Sequence, residues 1–131
     1  MNTFALVMSE HLNHHGFLFG GQLLKWVDEF AWVAAALDYP GFSLVTRAMD
    51  KVDFRMRVVN GAILRFCIVP ENRSEHSVTY AVNVFADVPG ASQEMLVFTN
   101  RVTFVAVDDA GNKVSLPFRE HLRSADASCS D

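Results

Sequence analysis

One nearly continuous apolar segment limits what this chain can fold into. After Gly20-Gly21, the run QLLKWVDEFAWVAAALDYPG carries apolar residues at the spacing of a helical face, and the pattern stops before Pro40. It predicts a helix over residues 22–37. Tryptophan, valine, alanine and leucine widen the apolar face until few positions stay polar. A helix of this kind must be covered on most sides, so we expect a sheet to wrap around it.

The segments that surround this helix have the composition of β-strands. They are rich in β-branched and aromatic residues, and turn-forming stretches such as Asn60-Gly61 and Pro89-Gly90 separate them. The connections are short enough for an antiparallel meander. The predicted strands are residues 3–8, 43–54, 62–69, 77–86 and 95–107. The order β-α-β-β-β-β indicates an α+β fold, with an antiparallel β-sheet wrapped around one central α-helix.

The chain is expected to form one domain. Its 131 residues are enough for one substantial core and too few for two domains of ordinary size. The domain should cover residues 1–123, and residues 124–131 (SADASCSD) are predicted to be a disordered polar tail. Half of the residues are hydrophobic and only a fifth are charged. The outer face of the sheet and its edges should therefore bind further copies of the chain.

Charge and cysteine content argue against several classes of protein. Fifteen acidic residues against eleven lysines and arginines give a net charge of −4, which disfavours a general binder of nucleic acids or anionic membranes. No stretch of about 18 apolar residues indicates a membrane span, and the first residues lack a signal-peptide pattern. Cys67 lies in an apolar run and Cys129 in the polar segment, so neither a disulfide nor a metal knuckle is expected. We expect a cytoplasmic location.

The helix and the turn before it contain the first candidates for chemistry. Asp28 lies seven residues after Gly21, close to two helical turns, at the margin of the apolar face. Gly20 and Gly21 allow a tight turn, and their amides stand at the positive end of the helix dipole. From spacing alone, an aspartate on a solvated face and a helix-entry turn without a ligand are the simpler interpretations. Glu29 points about 100° away around the helix and is expected at the surface or an interface.

The turn and the first half of the helix form one motif, Asn13-x-x-Gly16-x-x-Phe19-Gly20-Gly21-x-x-x-x-x-x-Asp28. In spacing and in residue types, this motif resembles the acyl-CoA thioesterase (acyl-CoA hydrolase) branch of the hotdog-fold superfamily. The similarity continues in VT at residues 45–46, in residues 50–54 and 77–85, and in TFVAVD at residues 103–108. The resemblance implies a hotdog fold, in which the sheet encloses the helix, and hydrolysis of acyl-CoA thioesters at a dimer interface.

The resemblance also implies a role for each polar group of the motif. Asp28 becomes the catalytic carboxylate, either as a general base on water or as a nucleophile that forms a mixed anhydride. The Gly21 amide becomes the oxyanion donor, with Gly20 and Gln22 beside it. Asn13 becomes the second polar group, from the subunit opposite Asp28, although its amide could instead only cap the turn. A homodimer is implied as the minimal active unit, with a trimer of dimers as the assembly and no cofactor beyond the coenzyme A of the substrate.

Coenzyme A carries phosphates, which require arginine or lysine near the mouth of the cleft. The family usually has a Gly-Arg before the fourth predicted strand, whereas this chain has Ser74-Glu75. Arg73 is the nearest substitute, and Arg55 and Arg57 are the other candidates. We expect one or more of these arginines to bind the nucleotide end of the substrate.

Two other functions stay open at this point. A non-catalytic hotdog subunit that binds acyl-CoA would agree with the missing Gly-Arg, whereas Asn13, the glycine pair and Asp28 favour an enzyme. A hotdog hydratase or dehydratase would use a histidine with an acid, but the predicted helix has no histidine. His11, His14 and His15 precede the helix without an HExxH or CxxC pattern, so we expect loop histidines and no metal site.

Overall fold

The computed structural model describes residues 1–125 and 129. It contains one long helix and five strands in the predicted order. The elements are β1 (Asn2–Leu6), α1 (Gly20–Asp38), β2 (Ser43–Phe54), β3 (Ile63–Arg73), β4 (Ser77–Asp87) and β5 (Met95–Val107), with 3-10 turns at Ser9–His11 and Arg123–Ala125. The fold is therefore α+β, as the alternation of apolar patterns predicted.

All neighbouring strands are antiparallel, and their order across the sheet is β1-β3-β4-β5-β2. Strands β3, β4 and β5 form a meander, but β2 pairs with β5 instead of β3, so the simple meander was wrong at this connection. Strand β2 is exposed along most of its length and contains several charged residues. Such a strand suits the edge of a sheet, whereas the more apolar β3, β4 and β5 belong in the middle.

The core lies between α1 and the inner face of the sheet. The buried helical residues Leu23, Val27, Ala31 and Ala34 recur every three or four positions and form the stripe that faces the strands. Inward-pointing aromatic side chains complete the core: Phe66, Tyr80, Phe98 and Phe104. The helix begins two residues earlier than predicted, because glycine is a poor helix former and the predicted helix therefore excluded Gly20 and Gly21.

Strand β3 also continues beyond its predicted end at residue 69 and includes Pro70. Its pairing with β1 ends at the Asn2–Cys67 pair, so the next residues of β3 have only one neighbouring strand. A proline lacks a backbone N–H, and an edge position tolerates that loss. The end of β1 thus explains why the proline does not stop β3.

The predicted disordered tail has to be corrected where the structure describes it. Ser124 is buried, and its backbone N–H donates to a carboxylate oxygen of Asp38 at 2.7 Å. Cys129 is bonded to Cys67 of β3, although the number and spacing of the cysteines did not indicate a disulfide. Both contacts join residues that are far apart in sequence, and the spacing of residues along the chain does not reveal such contacts. Residues 126–128 and 130–131 of the predicted tail lie outside the described residues.

Apolar side chains remain exposed on two surfaces of the single chain. One is formed by α1 and the edge strand β2 and includes Trp32, Val33 and Val45; the other includes Phe4 and Leu6 of β1. Both surfaces adjoin a strand with an unpaired edge, which is the kind of edge that pairs with another chain. Within residues 1–125 and 129, no helix combines the length and the apolar character that crossing a membrane needs.

Candidate functional site

A cleft of about 540 Å³ opens at the N-terminal end of α1. The turn before the helix forms one wall, the first helical turn forms the floor, and the segment after β2 forms the opposite wall. The lining residues that matter chemically are Asn13, Gly20, Leu23, Phe54, Arg55 and Arg57. The cleft therefore brings together four of the residues that the sequence indicated, namely the asparagine, one glycine and two arginines.

The turn that carries Asn13 is held by the side chain of Asn13 itself. Its Oδ1 accepts the backbone N–H groups of His15 at 2.9 Å and Phe17 at 3.2 Å, and its own N–H donates to the Phe17 carbonyl at 2.7 Å. Gly16 completes the turn with a φ of +84°, which glycine adopts without strain. Capping of the turn is thus one role of Asn13. Among the described residues its Nδ2 has no acceptor, so the amide can still donate into the cleft.

The start of α1 has free backbone donors. The N-cap residue, Phe19, has no side chain that could accept from the first amides, and its carbonyl accepts from Gln22 at 3.0 Å and Leu23 at 3.2 Å. In the described part of the chain, the N–H groups of Gly20 and Gly21 have no acceptor. Two free N–H groups at the positive end of a helix can bind a carbonyl oxygen or an oxyanion.

Gly21 is packed beneath the ring of Phe19. A Cβ placed on Gly21 would lie 2.7 Å from Cε2 of that ring, so any side chain would push the ring aside. At Gly20, a Cβ would lie 3.4 Å from Cζ of Phe54, which is an ordinary contact. Phe19 is exposed, so its ring could move to make room for a side chain at Gly21.

Asp28 lies on α1 outside the cleft of its own chain. Its half-buried carboxylate accepts the hydroxyl hydrogen of Thr46 on β2, with Oγ1 and Oδ1 2.6 Å apart. Seven residues of helix separate it from Gly21, a rise of about 10 Å. Thr46 was not predicted as a site residue, because only the fold brings β2 beside α1. The one available signal was that Thr46 belongs to the stretch that resembles the thioesterase family.

The candidate arginines lie in two different places. Arg55 and Arg57 line the cleft; Arg55 pairs with Asp53 at 3.3 Å, and the guanidinium of Arg57 lies over the ring of Phe17. Arg73 instead lines a smaller cavity of about 230 Å³ beside Tyr39, the residue that follows α1. One chain therefore brings two of the three arginines to the cleft.

The histidines near the motif have ordinary local contacts. His11 accepts the N–H of Met8 through Nδ1 and packs edge-on against Trp26, while His14 and His15 are exposed and stack on each other. Within the described residues, no group of three histidine, cysteine, aspartate or glutamate side chains is arranged to hold a metal ion. Glu29 is exposed, as the sequence predicted. None of these side chains adds an acid or base to the cleft except His15, which lines its mouth.

A family model described as the thioesterase superfamily matches residues 15–92. The match covers more than half of the chain and includes all of α1, β2, β3 and β4. The chain belongs to the thioesterase superfamily. Its cleft, its glycine pair and Asp28 all lie within or directly beside the matched residues.

Curated relatives are similar over a large part of the chain. The chain is 32% identical over 109 residues to YkhA of Bacillus subtilis (strain 168), described as an uncharacterized acyl-CoA thioester hydrolase. The aligned residues cover 80% of this chain and 60% of that protein. It is 31% identical over 86 residues to the acetyl-coenzyme A thioesterase of Mus musculus, and the aligned residues cover 66% of this chain and 15% of the relative. The chain thus spans only part of the length of these relatives.

Solved structures of the superfamily have the same fold. A hexameric hotdog fold thioesterase of Campylobacter jejuni superposes with a TM-score of 0.78 at 30% identity, covering 88% of both chains. A hexameric thioesterase of Yersinia pestis gives 0.82 at 26% identity, covering 89% of this chain and 94% of the other. The acyl-CoA hydrolase of Staphylococcus aureus, solved with butyryl coenzyme A, gives 0.81 at 28% identity, covering 95% and 77%. The chain therefore has the hotdog fold.

Proposed function

We propose that this protein is an acyl-CoA thioesterase that hydrolyses acyl-CoA to a free fatty acid and coenzyme A. The contact that carries the proposal is the hydrogen bond from Thr46 to Asp28. It fixes a half-buried carboxylate on the same helix whose first two amides have no acceptor among the described residues. The superfamily and the activity named for the relatives support the same conclusion.

The reaction needs a base for water and donors for the oxyanion. In the first route, Asp28 takes a proton from water, and the hydroxide oxygen bonds to the thioester carbon. The Gly21 N–H, with Gly20 beside it, stabilises the oxyanion, and the C–S bond then breaks as the CoA sulfur receives the proton. The backbone N–H of Gln22 already donates to the Phe19 carbonyl, so only the side chain of Gln22 is left for a contact with the substrate.

In the second route, the Asp28 carboxylate itself attacks the thioester carbon. The CoA thiolate leaves, a mixed anhydride forms, and water then hydrolyses the anhydride. After a single turnover in ¹⁸O-water, label in the Asp28 carboxylate would identify the nucleophilic route, in which water attacks the anhydride at the aspartyl carbon. The general-base route leaves the enzyme unlabelled, as does attack of water at the acyl carbon of the anhydride.

We further propose that each active site is built from two chains. Along one helix, Asp28 and Gly21 are about 10 Å apart. In the reaction, the carboxylate must contact the attacking water and the amide must contact the thioester carbonyl, each at about 3 Å, while the water and the carbonyl lie next to each other. Asp28 of the partner subunit therefore faces Asn13 and Gly21 of the first chain. The exposed apolar surface of α1 and β2, with its unpaired strand edge, is the surface where the two chains would meet.

The Staphylococcus aureus acyl-CoA hydrolase supports the pairing of Asn13 with Asp28. Its structures include one with an asparagine replaced by alanine and another with an aspartate replaced by alanine. The two replaced residues stand fifteen positions apart in that chain, which is also the spacing between Asn13 and Asp28. The same two residue types at the same spacing support a shared function for them here.

The proposed assembly is a trimer of dimers. Several structurally similar proteins are hexameric thioesterases, and this chain has a second exposed apolar surface at β1. The first surface, on α1 and β2, would form the dimer, and contacts beyond it would join three dimers. Light scattering that finds an active dimer and no larger species would contradict the hexamer while leaving the shared site intact.

Substrate binding is assigned to the cleft and its arginines. Arg55 and Arg57 would bind the coenzyme A phosphates at the cleft, and Arg73 would do so only if a neighbouring subunit brings it there. Replacing a phosphate-binding arginine by glutamine should raise KM about tenfold for acyl-CoA. The effect should be smaller for an acyl-pantetheine, which lacks those phosphates. Equal losses on both substrates for Arg55→Gln, Arg57→Gln and Arg73→Gln would place the phosphates elsewhere.

The non-catalytic alternative makes this chain an acyl-CoA-binding subunit, and the less favoured alternative is a hotdog hydratase or dehydratase. Release of free thiol from a panel of acyl-CoAs separates the three functions. A thioesterase releases thiol in proportion to time and enzyme, a binding subunit only binds, and a hydratase changes an enoyl substrate without releasing thiol. A chelator should leave the rate unchanged, because the proposed chemistry uses no metal or other cofactor.

A cytoplasmic location stays part of the proposal. The Cys67–Cys129 bond bears on it, because disulfides persist in oxidising compartments and are rare in reducing ones. Counting free thiols in protein taken directly from the cytoplasm would test whether the protein is present there and whether Cys67 and Cys129 are bonded to each other there. Two free thiols per chain would fit a reduced protein in that compartment.

A further inference from the structure

Asn100 is a buried polar residue that the proposed chemistry does not use. It lies on β5, its side chain faces the helix, and only 4% of its surface is exposed. The neighbouring inward positions, Phe98 and Val102, are fully buried and apolar, as is Val82 beside it on β4. Among the described residues, neither Nδ2 nor Oδ1 of Asn100 has a hydrogen-bond partner. An amide with both groups unpaired inside an apolar core is unfavourable unless something else pairs with it.

This amide lies just behind the wall of the cleft. Phe54 lines the cleft and packs against Phe98, with ring centroids 4.9 Å apart. Asn100 occupies the next inward position of the strand, about 7 Å further along. Leu23 of α1 both lines the cleft and belongs to the core under the helix. Asn100 does not itself line the cleft, so an acyl chain would have to pass the rings of Phe54 and Phe98 to reach it.

The edge strand is irregular at the same level. Asp50 pairs with Arg101 and Asp53 with Thr99, so two residues of β2 stand opposite the single residue Asn100. One of the two, Lys51, has a φ of +52°, which is uncommon for a residue other than glycine. Such bulges often lie next to binding sites, where they change the direction of nearby side chains.

We propose that Asn100 determines which acyl groups the cleft accepts, by binding a hydroxyl group carried on the acyl chain. Among the described residues, both polar atoms of the amide lack a partner, and one hydroxyl group can pair with both atoms, accepting from Nδ2 and donating to Oδ1. A plain hydrocarbon chain would leave both unpaired. The inference rests on the proposed function, because the acyl chain must enter this cleft.

The test compares acyl-CoAs in pairs of equal length, for example hexanoyl-CoA with hexanoyl-CoAs that carry a hydroxyl at the third, fifth or sixth carbon. For the wild-type protein, kcat/KM should be about three- to tenfold higher for at least one hydroxylated member. In Asn100→Leu, the ratio should fall to about one, while hydrolysis of the plain chain is kept. The matched control is Asn83→Leu, because Asn83 is exposed on β4 and faces away from the helix.

The wild-type ratio decides the inference even if the variant does not fold. Equal kcat/KM values within every wild-type pair, or a preference that survives in Asn100→Leu, would overturn it and leave Asn100 as a purely structural residue. If no acyl-CoA releases thiol, the proposed function fails, and thermal shifts with the same pairs then test the inference separately. A hydroxylated acyl-CoA that raises the Tm of the wild-type protein more than its plain partner does, with no such difference in Asn100→Leu, supports the inference. Equal Tm shifts within every pair contradict it.

Discussion

Asp28 and Asp38 belong to the same helix but accept very different numbers of hydrogen bonds. Asp38, at the C-terminal end, is 1% exposed, and its carboxylate accepts from the hydroxyl of Tyr80 at 2.6 Å and from both the backbone N–H and the hydroxyl of Ser124. Asp28 is half-buried and, among the described residues, accepts from the hydroxyl of Thr46 alone. The two carboxylates therefore differ in their remaining capacity to bind a ligand.

This difference separates a structural acid from a candidate catalytic acid. An ionised carboxylate can accept about four hydrogen bonds, and Asp38 uses most of that capacity to hold the segment around Ser124 against the helix. Burial, together with the hydrogen bond to Asp38, raises the pKa of Tyr80, so this phenol stays protonated as the donor. Asp28 keeps oxygen lone pairs for a water molecule, which a general base requires.

The largest expected effect comes from Asp28→Asn. The amide has nearly the same volume but cannot take a proton, so kcat for acyl-CoA hydrolysis should fall about 10²- to 10⁴-fold. The free energy of unfolding should change by less than about 1 kcal/mol, because the site is half-exposed. Steady-state kinetics and urea unfolding measure the two quantities. Near wild-type turnover at saturating substrate would remove Asp28 from the mechanism.

Asp38→Asn should show the opposite behaviour. The variant replaces one of the two carboxylate oxygens by an NH2 group, so at least one of the three donors loses its acceptor. The free energy of unfolding should therefore fall by about 2–3 kcal/mol. The rate per folded molecule should stay near that of wild type, because Asp38 lies at the far end of α1 from the free amides. A variant that keeps its stability but loses activity would reverse the roles assigned to the two aspartates.

Thr46→Val should have the smallest effect of the three. Valine has the shape of threonine without the hydroxyl, so Asp28 loses the donor that fixes its orientation. We expect kcat to fall about tenfold with KM nearly unchanged. Thr46→Ser, which keeps the hydroxyl, should restore most of the rate. An equal loss in both variants would mean that Thr46 acts through packing instead of the hydrogen bond.

Local patterns were enough to predict most of the fold. The bounds of β2 and β5 agree with the prediction at both ends, because β-branched and aromatic runs between turn residues define strands locally. The start of α1 was predicted two residues too late, because glycine is a poor helix former and does not contribute to the apolar helical pattern. The position of β2 at the far edge of the sheet was not predictable from local patterns, because it depends on how the strands pack together.

Contacts between distant residues were not predictable in the same way. The bond between Cys67 and Cys129 and the contact of Thr46 with Asp28 join segments that only the folded sheet brings together. Asn100 had a weak signal, since it stands at an inward position among apolar residues of β5. The motif residues were recognised because their spacing is local, within the turn and the helix.

The central claim is that Asp28 of one subunit and Asn13 of the other serve the same site. Asn13→Ala and Asp28→Asn protomers, each inactive alone, should regain activity when they exchange into mixed dimers. One of the two sites in each mixed dimer then has both residues intact, so random mixing should restore about a quarter of the wild-type rate. No recovery, with subunit exchange verified by mass spectrometry, would show that both residues serve the site of the same chain and would contradict the claim.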